Sequence, residues 1–200
     1  MSIATPSTQM KSYFKTRGYV PGGIITNTKS ENLDFEIIPP FLRTLLVTDG
    51  TVTKTLEAYF WENISVENLG QEIITLDQDI DWLDMKRGST ALRREVVLKG
   101  VKTGNVYVYA KSLLKLESLP VNVREELLGG RIGIGEALRE RGMETYREIL
   151  DIGREINEEL RHAFETPYCG ELLYRTYRVV FEHQPTMIIT EKFPYRLYSR

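Results

Sequence analysis

Two charged residues stand in stretches of sequence that should bury them. Arg94 lies within Leu92–Leu98, and Glu191 lies within Met187–Phe193. Side chains of a strand alternate between its two faces. Arg94 then shares a face with Leu92, Val96 and Leu98, and Glu191 shares one with Met187 and Ile189. A charge on an apolar face is costly unless it has a partner or a ligand. Two readings follow. Arg94 and Glu191 form a salt bridge with each other, or they belong to a pocket.

Other reactive residue types give weaker signals. His162 and His183 are far apart and have no Cys or His neighbour at ligand spacing, so both read as surface or packing histidines. Asp77, Asp79, Asp81 and Asp84 form an acidic stretch without the glycine and terminal Glu of a calcium loop, and read as a solvated face. Cys169 would be a nucleophile only with a histidine in reach, and reads as a packed or idle thiol. The run from Gly129 to Gly135 does not end in Gly-Lys-Ser/Thr and follows a predicted helix instead of a strand, so it is no nucleotide loop. It reads as a turn whose backbone N–H groups could face an anion. No metal and no cofactor are expected.

The elements that would carry these residues are legible in outline. Pro39 and Pro40 open an apolar stretch that predicts a helix over 41–48, since proline is well tolerated in a first helical turn. Val52 to Trp61 predicts a strand, with Ile64 and Val66 on a return strand. Residues 91–99 and 106–110 predict the clearest hairpin of the chain. Residues 120–128 predict a helix capped by Asn122 and ended by Gly129-Gly130, and 136–141 a second, shorter one. Apolar residues at 146, 149, 152, 156 and 160 carry a helical period over 145–165. Residues 172–182 and 186–193 predict a last hairpin. Antiparallel strands interrupted by helices make an α+β domain, not a parallel βαβ fold.

With 42% hydrophobic residues, including 7 Phe and 11 Tyr, a chain of 200 residues can bury the core of one domain. Its 26 basic and 28 acidic residues argue against a nucleic-acid-binding surface. Apolar runs are too short to span a membrane, and the first residues lack the apolar core of a secretory signal. With Cys169 as the one cysteine there is no internal disulfide, and the cytoplasm is the default compartment. Residues 1–35, rich in Ser, Thr, Asn and Gly, read as a loosely structured extension, with one domain over 36–200.

Four segments in this order resemble the chorismate lyase family. They are Leu45–Lys54, Leu92–Leu98, Gly129–Leu138 and Met187–Pro194. Each is short; their order and spacing carry the likeness, over about residues 41–195. The resemblance implies an antiparallel sheet with helices on one side enclosing a ligand cavity, and the cofactor-free elimination of pyruvate from chorismate to give 4-hydroxybenzoate, a quinone precursor. It implies that Arg94 binds the ring carboxylate, helped by the backbone N–H groups of Val52 and Ile134. It places Glu191 at the C4 hydroxyl end of the ring, and Lys111 near the pyruvyl end, where the family tends to have an arginine. It also implies a strand over 146–152, which is adopted here, with a helix kept for about 155–165. The alternative is a non-catalytic, effector-sensing domain of the same fold type, although residues 1–35 are too short and too rich in Gly, Pro and Ser to supply a helix-turn-helix.

Overall fold

A computed structural model describes residues 23–164 and 170–199. In chain order the elements are β1 (Ile24–Thr26), β2 (Asn32–Asp34), α1 (Pro40–Val47), α2 (Val52–Phe60), β3 (Ile64–Thr75), β4 (Thr90–Gly100) and β5 (Val106–Leu114). Then follow α3 (Val121–Leu128), α4 (Ile134–Glu140), β6 (Thr145–Ile156), α5 (Arg161–Phe164), β7 (Glu171–Phe181), β8 (Gln184–Pro194) and α6 (Tyr195–Tyr198). Strands β3 to β8 form a six-stranded sheet in the order β3-β4-β5-β8-β7-β6. All its pairings are antiparallel. Two three-stranded meanders, β3-β4-β5 and β6-β7-β8, are thus zipped together where β5 meets β8, from Tyr109 opposite Lys192 to Leu114 opposite Met187.

The expected α+β architecture with an antiparallel sheet is what the chain adopts, with α1 to α4 on one face of the sheet and the short α5 on the other. Helix α1 forms where Pro39 and Pro40 predict it, and buries Leu42, Leu45 and Leu46 at the spacing of a single helix face. Together with α2 and the β1–β2 hairpin it covers one end of the sheet, packing on Leu98, Val108, Leu173 and Phe193. Helices α3 and α4 cover the other end of the same face through Val123, Leu127, Ala137 and Leu138, against Leu92, Leu114, Val179 and Met187. A seam remains between the two helical pairs. The back face carries two further apolar clusters. One lies under residues 76–85 around Trp82 and Ile188, and one lies under α5 around Phe164 and Leu172.

Three expectations need correction. Val52–Phe60 is a helix, not a strand. Val52, Thr53 and Thr55 favour β structure, but Val52 and Leu56 are buried while Lys54 between them is exposed, and a strand would put all three on one face where a helix turns Lys54 outward. The helix ends at Trp61 in the left-handed region. Residues 145–156 form one strand, longer than the family likeness implies, followed by a single turn and the short α5 in place of a helix over 155–165. Its helical period comes from a β-bulge between Ile149 and Asp151, where the register shifts. The extra residue puts Ile149 and Ile152, three apart, on the same core. The loose lead-in expected over 1–35 does not hold from residue 23 onward. Ile25, Leu33 and Phe35 are buried in the core, and the Thr28 N–H and hydroxyl both donate to the Asp151 carboxylate, at 3.0 and 2.7 Å. Residues 1–22, like Cys169, lie outside the described residues. Among the described residues no helix is long and apolar enough to cross a membrane.

Candidate active site

The seam between the two helical pairs holds a cavity of about 310 Å³, at the small end of the range of about 300–1,000 Å³ usual for small-molecule sites. Its floor is the sheet: Arg94 and Val96 of β4, Ser112 of β5, Ile189 and Glu191 of β8, and Tyr177 of β7. Its roof is the start of α2 and the loop that leads into α4. The strand alternation read from the sequence is therefore right for both charged residues, which face one cavity.

They do not face each other as a pair. Strand β5 lies between β4 and β8, and Glu191 instead pairs with Arg175, directly opposite it on β7. Arg175 Nε donates to Glu191 Oε2 at 2.7 Å, and both residues are buried. The Tyr177 hydroxyl donates to the other carboxylate oxygen at 3.2 Å. Burial and then the Glu191 charge push the Tyr177 pKa well above its ordinary value, so it remains a donor. Arg175 also donates from Nη1 to the carbonyl of Thr48, which ties the carboxylate to the turn that opens α2. The sequence reading missed Arg175. Its signal is parity, since it shares a face with Leu173, Tyr177 and Val179.

Arg94 is 1% exposed, and no carboxylate pairs with it among the described residues. Its Nη2 donates to the carbonyls of Gly130, at 3.3 Å, and Ile132, at 2.7 Å. Its Nε and Nη1 are buried without a hydrogen-bond partner. Burial alone pulls its pKa below the usual guanidinium value. A buried guanidinium with idle donors in a cavity wall is costly in the empty protein and matches an anion that would close it.

Val52 and Ile134 are the first residues of α2 and α4, and neither helix has a side-chain cap. First-turn N–H groups have no partner within their helix. The two helix starts abut, for a methyl added at Gly135 would stand 3.7 Å from Thr51 Cγ2. The loop before α4 is held by its carbonyls, through Arg94 and through Asn68 and Gln71 of β3, which donate to Gly130 and Leu128. Gly130 has a φ of +70°, in the left-handed region that favours glycine.

Lys111 does not reach the cavity. It sits opposite Glu95 on the back face, where its Nζ pairs with Glu95 Oε1 at 2.7 Å. It is one residue out of phase with Ser112, which does line the cavity. Neither histidine is in the cavity lining, and the described residues contain no cluster of His, Cys, Asp or Glu that could hold a metal.

A family model described as Rv2949c-like chorismate pyruvate-lyase matches residues 46–199. A Methanocaldococcus jannaschii protein, named only provisionally as a lyase, is 34% identical over 156 residues, covering 76% of this chain and 77% of that one. The chorismate pyruvate-lyase of Mycobacterium leprae is 30% identical over 155 residues, covering 76% and 73%. Among solved structures, PhnF of Mycobacterium smegmatis superposes with a TM-score of 0.59 at 14% identity over 74% of this chain, which spans 65% of that protein, just under two thirds. The effector domain of PhnF gives 0.56 at 13% identity, covering 72% of this chain and 88% of that one. At such identities these likenesses show the fold alone. The match over residues 46–199 and the 30–34% identical relatives go further: this chain belongs to the Rv2949c-like chorismate pyruvate-lyase family.

Proposed function

We propose that the chain is a chorismate lyase that eliminates pyruvate from chorismate to leave 4-hydroxybenzoate, without a cofactor. The observation that carries this reading is Arg94, a buried guanidinium with two idle nitrogens in the wall of a cavity of about 310 Å³. A carboxylate on the substrate ring would accept from it, with the N–H groups of Val52 and Ile134 at the roof. Para to that carboxylate, the C4 hydroxyl would lie toward Glu191, which Arg175 and Tyr177 hold in place.

The chemistry asks little more. The C3–O bond breaks, and its electron pair leaves with enolpyruvate. The C4 proton is lost, and its pair completes the aromatic ring. Enolpyruvate takes up a proton at its methylene carbon to become pyruvate. Aromatisation drives the step, so the protein needs only to fix the dianion in a reactive pose and assist the proton. Glu191 is the group in place to accept that proton, or to orient the hydroxyl beside it.

A second reading has the likeness to the PhnF effector domain on its side: a pocket that binds a small carboxylate and turns nothing over. One assay separates the two. Purified protein is incubated with chorismate, and pyruvate and 4-hydroxybenzoate are quantified against an uncatalysed control. Stoichiometric appearance of both supports the lyase. Tight binding of chorismate or of 4-hydroxybenzoate without turnover retires it in favour of the binder.

A further inference from the structure

If Lys111 faces away, the second carboxylate of a dianion needs another cation. The charges around the cavity point to one. Lys54 is committed to Glu57 at 2.6 Å, and Arg175 to Glu191. Arg131, Arg139 and Arg147 also line the cavity, and none of them has a carboxylate partner among the described residues. Arg131 and Arg139 are exposed, whereas Arg147 is partly buried.

Arg147 stands on β6 opposite Val179, a residue of the cavity face. Across the sheet the order is Arg94 on β4, Glu191 on β8 and Arg147 on β6. Its Nη1 donates to the carbonyl of Asp49 at 2.8 Å, beside the Thr48 carbonyl that Arg175 holds. Its charge reaches the Tyr177 hydroxyl, where it works against the burial and the Glu191 charge that raise that pKa. Arg147 also lines a second, outer cavity of about 940 Å³, shared with Thr51, Gly135 and Arg139 and rimmed by the exposed Glu182 and His183. It stands where the inner cavity opens outward.

Resting on the lyase reading, we propose that Arg147 takes the carboxylate of the enolpyruvyl group and thereby selects the dianionic substrate over its monoanionic aromatic product. With the ring carboxylate on Arg94 and the C4 hydroxyl at Glu191, the ether at the neighbouring C3 directs the enolpyruvyl group past Glu191, toward β6. After cleavage, pyruvate leaves on the side of the outer cavity, and 4-hydroxybenzoate has lost the group that Arg147 held.

The test compares two ligands on wild type, Arg147→Ala and Arg147→Lys. KM and Kd are measured for chorismate, and Kd for 4-hydroxybenzoate. Arg147→Ala is expected to weaken chorismate about 10- to 100-fold, the usual worth of a hydrogen bond to a charged group. It should leave 4-hydroxybenzoate nearly unchanged, which also certifies the fold. Arg147→Lys should recover part of the loss, since it keeps the charge without the planar fork. Equal losses for both ligands would show that Arg147 only braces the Asp49 turn, and unchanged chorismate affinity would overturn the assignment outright. A wild type that binds chorismate without turnover refutes the lyase reading, while its ligand ratio still decides Arg147. A wild type that binds no chorismate refutes both.

Discussion

The two faces of the sheet treat charge in opposite ways. On the back face each cation near the centre has its own carboxylate. Lys111 meets Glu95 at 2.7 Å, Lys192 meets Glu155 at 2.5 Å, and Arg178 meets Glu148 at 2.7 Å. Around the cavity two pairs are closed, Arg175 with Glu191 on the sheet and Lys54 with Glu57 on α2, and four arginines line the site without a carboxylate partner among the described residues. Closed pairs hold strands to one another. A buried open charge such as Arg94 lowers the stability of the empty protein and is explained where a ligand supplies the missing charge.

The sharpest break in that comparison is at Arg94. Arg94→Met is expected to lower kcat/KM about 30- to 5,000-fold, from the loss of about 2–5 kcal/mol in a desolvated charge contact. The melting temperature should change by no more than about 4 °C, near 1 kcal/mol for a chain of this size. That combination marks an open charge. A collapse of the melting temperature, with activity lost only in proportion to unfolding, would make Arg94 a strut for the Gly130–Ile132 loop.

Glu191 tests the closed pair on the sheet floor of the cavity. Glu191→Gln should lower kcat by about 10²–10⁴-fold if the carboxylate handles a proton. It should change 4-hydroxybenzoate affinity by about 1 kcal/mol or less. Its partner should behave differently: Arg175→Met leaves a buried carboxylate unpaired and is expected to cost about 3–5 kcal/mol of stability. Near-normal kcat in a stable Glu191→Gln protein would leave Glu191 a binding contact only.

Away from both faces, where the turn after α2 meets the tip of the β4–β5 hairpin, a third kind of charge sharpens the contrast through pH. Burial opposes the charged form of Glu62. The hydrogen bonds it accepts from the Tyr107 hydroxyl, from the Thr103 N–H and hydroxyl and from the Lys102 N–H overcome that, and hold its pKa at about 2. A carboxylate with a depressed folded pKa stabilises the fold fully above its ordinary pKa, and that contribution is lost as pH falls through the folded value. Thermal scans between pH 5 and pH 2 should therefore show a shallower acid loss in Glu62→Gln than in wild type, with lyase kinetics at neutral pH unchanged. The smallest effect belongs to Lys111→Met. It should cost no more than about 1 kcal/mol and leave turnover intact, and a large rise in KM for chorismate would return Lys111 to the site.

Alternation made the floor of the site legible. Leu92–Leu98 and Met187–Phe193 gave the direction of Arg94 and Glu191 without any contact being known. The same rule places Lys111 out of phase with Ser112, but only once the register of β5 on β4 is fixed, and register is a property of two strands. The salt-bridge reading stopped at Arg94 and Glu191 because the chain does not say that β5 comes between them. The roof was less legible. Val52, Thr53 and Thr55 look like strand residues, and only the burial of Val52 and Leu56 with Lys54 turned outward marks them as a helix. The bulge in β6 imitated a helical period for a related reason, since one inserted residue turns a two-residue repeat into a three-residue one.

The pairing of β5 with β8 also orders events in time. Each meander can form from hairpins whose partners lie close along the chain, whereas β5 and β8 join residues as far apart as Tyr109 and Lys192. Contacts of long sequence separation are slow to close. Arg94 belongs to the first meander, and Glu191, Arg175 and Arg147 to the second. In a refolding experiment β-sheet circular dichroism should therefore return ahead of 4-hydroxybenzoate binding, and simultaneous recovery would contradict this sequence of steps. The cavity has no precursor in either half, so a chain stalled before the zipper closes would hold most of its strands and none of its chemistry.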